Sequence, residues 1–228
     1  MKILDNLDNR YQALQEIVKK ELSYAAHDLD HILRVYNLCM LLAEEERDVD
    51  LEVLIPAALL HDIARRDEDE DITGEIDHAV LGAEMAGRIL HDLDYDPEII
   101  VRIKDCIKAH RFRSGFTPDT IEAKILFDAD KLDVLGAVGI ARSFMLAGEH
   151  GEKMHNDIPL DEYLEENVGP NGRIKDASKH TANLEFELKL KKIPERLFTD
   201  KAKQIAAHRI QYMETFFKIL VGEVNGQR

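Results

Sequence analysis

Ala57-Ala58-Leu59-Leu60-His61-Asp62-Ile63-Ala64, residues 57–64, is a run of helix-forming apolar residues that ends by presenting an imidazole and a carboxylate side by side. Burying either group alone costs several kcal/mol, so the pair requires a partner once the run enters a core. A divalent cation suits both. Neutral imidazole and carboxylate each donate a lone pair to Zn, Mn or Fe, and one helix can aim both at one ion. A histidine hydrogen-bonded to a carboxylate at a helix end is the plain alternative for these two residues taken alone.

Outward from this run the apolar residues recur every three or four positions. Residues 5 to 22 carry Leu7, Tyr11, Leu14, Ile17 and Val18 in that spacing, which predicts one amphipathic helix. The next helix runs from Asp28-Leu29-Asp30 to Ala43, with Asp28 or Asp30 available to cap it. Within it His31, Val35, Leu38 and Leu42 fall at i, i+4, i+7 and i+11, so His31 shares a stripe with three core residues and points inward. The helix bearing His61 follows Asp48-Val49-Asp50 and carries Pro56, which fits only near its first turns or as a kink. It ends in Arg65-Arg66-Asp67-Glu68-Asp69-Glu70-Asp71, whose acidic part reads as a solvated loop because it lacks any apolar period. Arg65 and Arg66 stand within a turn of His61-Asp62, where a guanidinium fork would meet phosphate oxygens.

Three further helices follow. One starts at Asp77-His78 and reaches Leu90; the next begins at Asp96-Pro97 and runs to His110; a third opens at Thr117-Pro118 and carries Asp128, Asp130, Lys131 and Asp133. Three acids within six residues of an apolar helix are costly if buried, so one or more must be coordinated or paired. Residues 148 to 180 form a polar, Gly- and Pro-punctuated excursion, too long for an ordinary connection and suited to a lid, a docking loop or a partly disordered segment. Helices over about 182–192 and 199–224 close the chain, the last with Ile205, His208, Tyr212, Phe216 and Ile219 as a mostly apolar stripe.

With no Trp, 6% aromatic residues and few β-branched runs, the 228-residue chain reads as all-α. One elaborated domain over 1–228 is expected, with a core at about 23–146 on which the C-terminal helices pack. Cys39 and Cys106 lie in apolar helical patterns without CxxC spacing and read as reduced core thiols. No stretch is long and apolar enough to cross a bilayer, so a soluble, cytoplasmic protein is expected. The formal charge of −15 disfavours a nucleic-acid partner. It leaves room for a small phosphorylated substrate, because screening confines remote charge to about 8 Å at physiological salt.

The order His31, then His61-Asp62, then Asp130, on three different helices, resembles the HD superfamily of metal-dependent phosphohydrolases, whose pattern is H…HD…D on a helical bundle. Asp30-His31-x-x-Arg34-Val35, Leu59-Leu60-His61-Asp62-Ile63 and Asp128-Ala129-Asp130-Lys131-Leu132-Asp133-x-x-Gly136-Ala137-x-Gly139-Ile140-Ala141-Arg142 are similar to the local motifs of a bacterial and archaeal subgroup. The resemblance implies that His31, His61, Asp62 and Asp130 bind one divalent ion (Mn, Mg, Zn, Fe, Ni or Co), with Asp128 the rival for the last place. Members with two metals use histidines between the HD pair and the final aspartate; His78 and His110 occupy that interval, for a second ion or for catalysis. Arg65, Lys131 and Arg34 are the candidate phosphate ligands, with Arg142 a further option, and His110 is the first choice for the general acid. The implied activity is hydrolysis of a phosphate ester or anhydride in a small nucleotide, such as a nucleoside triphosphate. A dinucleotide phosphodiesterase, a non-catalytic nucleotide-binding regulatory module and, more remotely, a di-iron oxygenase are the alternatives, and a homo-oligomer is compatible with all of them.

Overall fold

The computed structural model describes residues 9–21, 29–111, 115–149, 151–169 and 174–227. The helices are α1 Asn9–Glu21, α2 Leu29–Ala43, α3 Leu51–Leu60, α4 Arg65–Glu70, α5 His78–Asp92, α6 Pro97–Ala109, α7 Ile121–Asp133, α8 Gly136–Glu149, α9 Leu160–Asn167, α10 Ala182–Leu188 and α11 Asp200–Val224. No strand occurs among the described residues, only the isolated bridges Lys153–Thr181 and Val168–Ile174. The all-α expectation holds. Nor is any helix among them long and apolar enough to cross a membrane. The expected Asp28 cap and the outer ends of the first helix, including Leu7, lie outside the described residues.

The chain divides into two compact units, Met1–Asp130 and Lys131–Arg228, with the division falling inside α7. In the first unit α3 is central, packed against α1, α2 and α6, while α5 packs on α6 and α4 on α5. Every residue from Val53 to Leu60 is buried, which explains a helix that is apolar all round. Pro56 sits inside it, in the second turn. On α2 the inward stripe is as expected, with His31, Val35, Leu38 and Leu42 buried.

Local chemistry starts the helices. Asp50, Asp77 and Asp96 each accept a hydrogen bond from the second following amide as N-caps of α3, α5 and α6, and Pro97 opens α6. The start of α7 differs from the Thr117-Pro118 expectation: the cap is Thr120, whose hydroxyl accepts from the Ala123 amide at 3.2 Å. Buried Glu122 then ties this turn of α7 to the N-terminus of α3 by accepting from the Asp50 amide at 2.9 Å. Arg102 of α6 spans the same junction, 2.6 Å from Asp50 and 3.7 Å from Glu122.

In the second unit α8 packs against α11 and α10. Asp133 is buried and paired with Arg142 at 2.7 Å, and the Arg209 guanidinium donates to the Leu132 carbonyl at 2.5 Å. Arg142, an option as a phosphate ligand, would have to exchange this carboxylate to serve as one. The expected stripe on α11 is corrected: the buried face is Ala202, Ala206, Met213 and Phe217, whereas Tyr212 is exposed, as is His208, for which an exposed place was one of the two expected. The helix expected over 182–192 is α10 followed by a 3₁₀ segment, Leu190–Arg196, that accommodates Pro194.

The described part of the polar excursion is structured. Asn167 at the end of α9 donates to the buried Tyr163 hydroxyl at 3.0 Å and to the Asp176 carbonyl at 2.9 Å, and its own oxygen accepts from the Asp176 amide at 3.0 Å. Polar sequence here encodes a side-chain-to-backbone knot in place of an apolar core.

Gly139 is tightly constrained: a Cβ would meet the Val134 carbonyl oxygen at 2.1 Å. Gly139→Ala should cost about 2–3 kcal/mol, as an overpacked core does, lowering Tm by about 4–12 °C. Gly148→Ala on the same helix, where a Cβ meets nothing, should leave Tm unchanged or raise it by a few degrees. Thermal melts followed at 222 nm check both; a Gly139→Ala Tm equal to wild type would contradict this packing.

Candidate metal centre

His31 comes from the first turn of α2, His61 and Asp62 from the turn that ends α3, and Asp130 from α7. His61 is the C-cap of α3 with helical backbone angles (φ −58°, ψ −36°), so its side chain continues the buried face of the apolar run. Its Nδ1–H donates to the Ala58 carbonyl at 2.8 Å. That bond leaves the Nε2 lone pair facing into the unit, as in histidines poised for a metal.

Four donor atoms converge there. His61 Nε2 lies 3.3 Å from His31 Nε2, 3.9 Å from Asp62 Oδ2 and 4.0 Å from Asp130 Oδ1. His31 Nε2 is 3.5 Å from both Asp62 Oδ2 and Asp130 Oδ1. Donors around one ion with bonds near 2.1 Å stand about 3.0–3.5 Å apart, so small side-chain rotations close this set on a cation. Asp130, at 15% side-chain exposure against 7% or less for the other three, is the member nearest solvent.

The helix also separates the rival aspartates. Residues two apart on a helix face nearly opposite ways, so Asp128 and Asp130 cannot both reach one point. Asp130 makes the approaches to His31 and His61, while Asp128 is wholly buried.

A second cluster shares Asp62. Its other oxygen, Oδ1, lies 3.3 Å from His78 Nε2 and 3.5 Å from His110 Nε2, which are themselves 3.2 Å apart. His110 caps α6 and donates Nδ1–H to the Ile107 carbonyl, the same device as His61 to Ala58. His78 opens α5 and donates Nδ1–H to Glu68 Oε2 at 2.7 Å. Each cluster offers three buried ligand atoms within 4.8 Å of one another, so the residues fit one ion or two.

The charged run after Asp62 is α4 and not the expected solvated loop, and it turns Glu68 inward. Besides His78, Glu68 takes Arg65 at 3.0 Å and Arg111 at 2.7 Å, and Arg65 also approaches Asp69 at 3.3 Å. Glu68 is invisible to periodicity, since α4 contains no apolar residue to reveal which face is inner, and Arg111 lies beyond the end of α6. Helical spacing from Arg65 to Glu68 and Asp69 is the one signal the sequence offered. Of the phosphate candidates, Arg65 therefore sits beside the second cluster among carboxylates. Arg34 lies on α2 one turn beyond His31, partly buried; Lys131 follows Asp130 on α7 and belongs to the second unit.

Burial lowers the His61 pKa to about 4, more than the nearby Asp62 charge can offset. For His78 burial acts the same way, but hydrogen bonds and charge from Asp62, with Glu68 behind, outweigh it and raise the pKa. Burial first, and then the charges of Asp130, Cys106 and Asp128, push the Cys39 thiol well up; burial takes Cys106 to about 12. Both cysteines are free, buried and unreactive at neutral pH.

An HD domain family model matches residues 28–135. The uncharacterized protein YpgQ of Bacillus subtilis strain 168 is 29% identical over 233 residues, spanning 99% of this chain and 97% of the relative. Among solved structures, Bacillus subtilis YpgQ in complex with ADP superposes with a TM-score of 0.69 at 26% identity, covering 94% of each chain. An HD-superfamily hydrolase from Bacillus thuringiensis gives 0.66 at 28% identity, covering 95% of each.

Metal-free protein should lose stability between pH 6.5 and about 4, where the unfolded chain binds the proton that folded His61 refuses. The loss is at most about 3 kcal/mol from this group. His78 acts in another window: its contribution is whole below 6.5 and is lost as pH rises through its raised folded value. Urea midpoints of chelator-treated protein from pH 4.5 to 6.5 read the His61 slope, which His61→Asn should remove; a flat wild-type profile would contradict a buried neutral imidazole.

Proposed function

This chain belongs to the HD domain family, and from that premise we propose that it is a metal-dependent hydrolase of a phosphate ester or anhydride in a small nucleotide. The observation that carries this reading is the approach of His31 Nε2, His61 Nε2, Asp62 Oδ2 and Asp130 Oδ1 to within 3.3–4.0 Å across the pairs that involve the two imidazoles. A nucleotide is favoured because the Bacillus subtilis relative is solved in complex with ADP.

A divalent ion, when bound, supplies a water of lowered pKa and withdraws charge from phosphorus. His31, His61, Asp62 and Asp130 hold the ion; the Ala58 carbonyl holds the His61 tautomer that makes this possible. Arg34, Arg65 and Lys131 are the cations assigned to phosphate oxygens. Arg65 reaches a phosphate only by exchanging its carboxylate partners Glu68 and Asp69. Were a second ion bound, Asp62, His78 and His110 would hold it, and two ions would favour the second reading, a phosphodiesterase acting on a dinucleotide. If the second place is empty of metal in the working enzyme, His110 is the proton donor to the leaving group. A cytoplasmic setting accords with two free buried thiols.

The test is a screen of nucleoside mono-, di- and triphosphates and dinucleotides against Mn, Mg, Zn, Fe, Ni and Co, read by phosphate and pyrophosphate release. Asp62→Ala should lose all bound metal and at least about a hundredfold in turnover, beyond what loss of a supporting group costs, with helical circular dichroism kept. His31→Ala should lose the first ion, and His110→Ala the second alone. Bound nucleotide and metal without any turnover would make the chain a regulatory module instead.

A further inference from the structure

We propose that Glu68 is the positioning residue of the second ion site: clamped by two guanidinium groups, its carboxylate holds His78 with Nε2 turned towards Asp62 Oδ1. The inference rests on the reading above only in requiring ions at the histidine-aspartate clusters.

The two oxygens of Glu68 are divided between partners. Oε2 accepts from His78 Nδ1 at 2.7 Å and from Arg65 Nη1 at 3.0 Å, while Oε1 faces Arg111 Nη1 at 2.7 Å. The same Arg111 nitrogen lies 3.0 Å from Asp77 Oδ2, and Asp77 is the N-cap of the helix that His78 opens. Glu68 thereby joins α4, the first turn of α5 and the residue after His110 at the end of α6. Three segments that carry or flank the second cluster meet on one carboxylate.

An exposed ion pair of this kind would be worth little. This one is different, because His78 is buried, Glu68 side-chain exposure is 16%, and the hydrogen bond selects which imidazole nitrogen carries the proton. With Nδ1 protonated, Nε2 presents a lone pair 3.3 Å from Asp62 Oδ1 and 3.2 Å from His110 Nε2. Without Glu68 the ring can adopt the other tautomer or rotate, and the second cluster loses one of its three donors. A glutamine at this place keeps the size but has a single acceptor oxygen and no charge, so it cannot serve His78, Arg65 and Arg111 together.

The experiment is a Mn²⁺ titration of metal-free full-length protein by calorimetry, with metal counted per chain. Alongside it, long-range ¹H–¹⁵N correlation in the Zn²⁺-loaded protein reads the His78 tautomer. Wild type is expected to take two ions. Glu68→Gln should keep the first with unchanged affinity, weaken the second about 10–100-fold and lose the single Nδ1–H tautomer of His78. Glu68→Asp should recover part of the second affinity. Glu70→Gln, which removes only the exposed partner of Arg66, should match wild type throughout. Two ions of wild-type affinity in a folded Glu68→Gln protein would overturn the proposal while leaving the hydrolase reading intact. So would a wild type that takes a single ion. A wild type that takes none would overturn the hydrolase reading itself.

Discussion

The burial of Asp62 is the constraint on which the rest of the first unit depends. A carboxylate at 7% side-chain exposure is tolerable only if both oxygens are compensated. Here Oδ2 faces His31 and His61, and Oδ1 faces His78 and His110. Four histidines from four segments of chain are arranged around one acid, and the helices that bring them there must meet at this point. Their packing is the ordinary apolar kind, with α3 buried on every side, and it brings the four imidazoles to one carboxylate.

Helix ends supply the precision. The last carbonyls of a helix lack the usual i+4 amide partner, and two of them, Ala58 and Ile107, accept Nδ1–H from His61 and His110 three residues on. The same geometry at two C-termini fixes two rings with Nε2 inward and costs no additional side chain. His78 stands at a helix start, where no such carbonyl is available, and a carboxylate from α4 takes that part. At the opposite end of α3, Asp50, Arg102 and Glu122 tie the starts of α3 and α7 together. Asp130, about two turns further along α7, is carried by that same rigid element.

In the second unit, polar groups organise what apolar periodicity does not. Asp133 is compensated by Arg142, and Arg209 closes on a helix-end carbonyl. The excursion between α8 and α10 is held by Asn167 and Tyr163, and by Asn183 Nδ2 donating to the Asn156 carbonyl at 3.0 Å. Such a segment looks structureless in sequence because its order comes from single amides and hydroxyls, each meeting one backbone group, with no repeating pattern to betray it.

Sequence by itself determined the helices whose apolar residues repeat, the inward stripe on α2 that carries His31, the cap Asp96, and the HD motif. Those are local consequences of spacing and side-chain chemistry, legible without knowing what lies opposite. It did not determine the inner face of α11, because which stripe of a long amphipathic helix is buried depends on what the helix meets. Nor could spacing show that Asp130 approaches His31, find Glu68 in a run of charges, or show that His78 and His110 share an oxygen's surroundings with Asp62. These were decided by tertiary structure, since each is a distance of 2.7–3.5 Å between atoms 10 to 99 residues apart along the chain, and no local pattern encodes such a meeting.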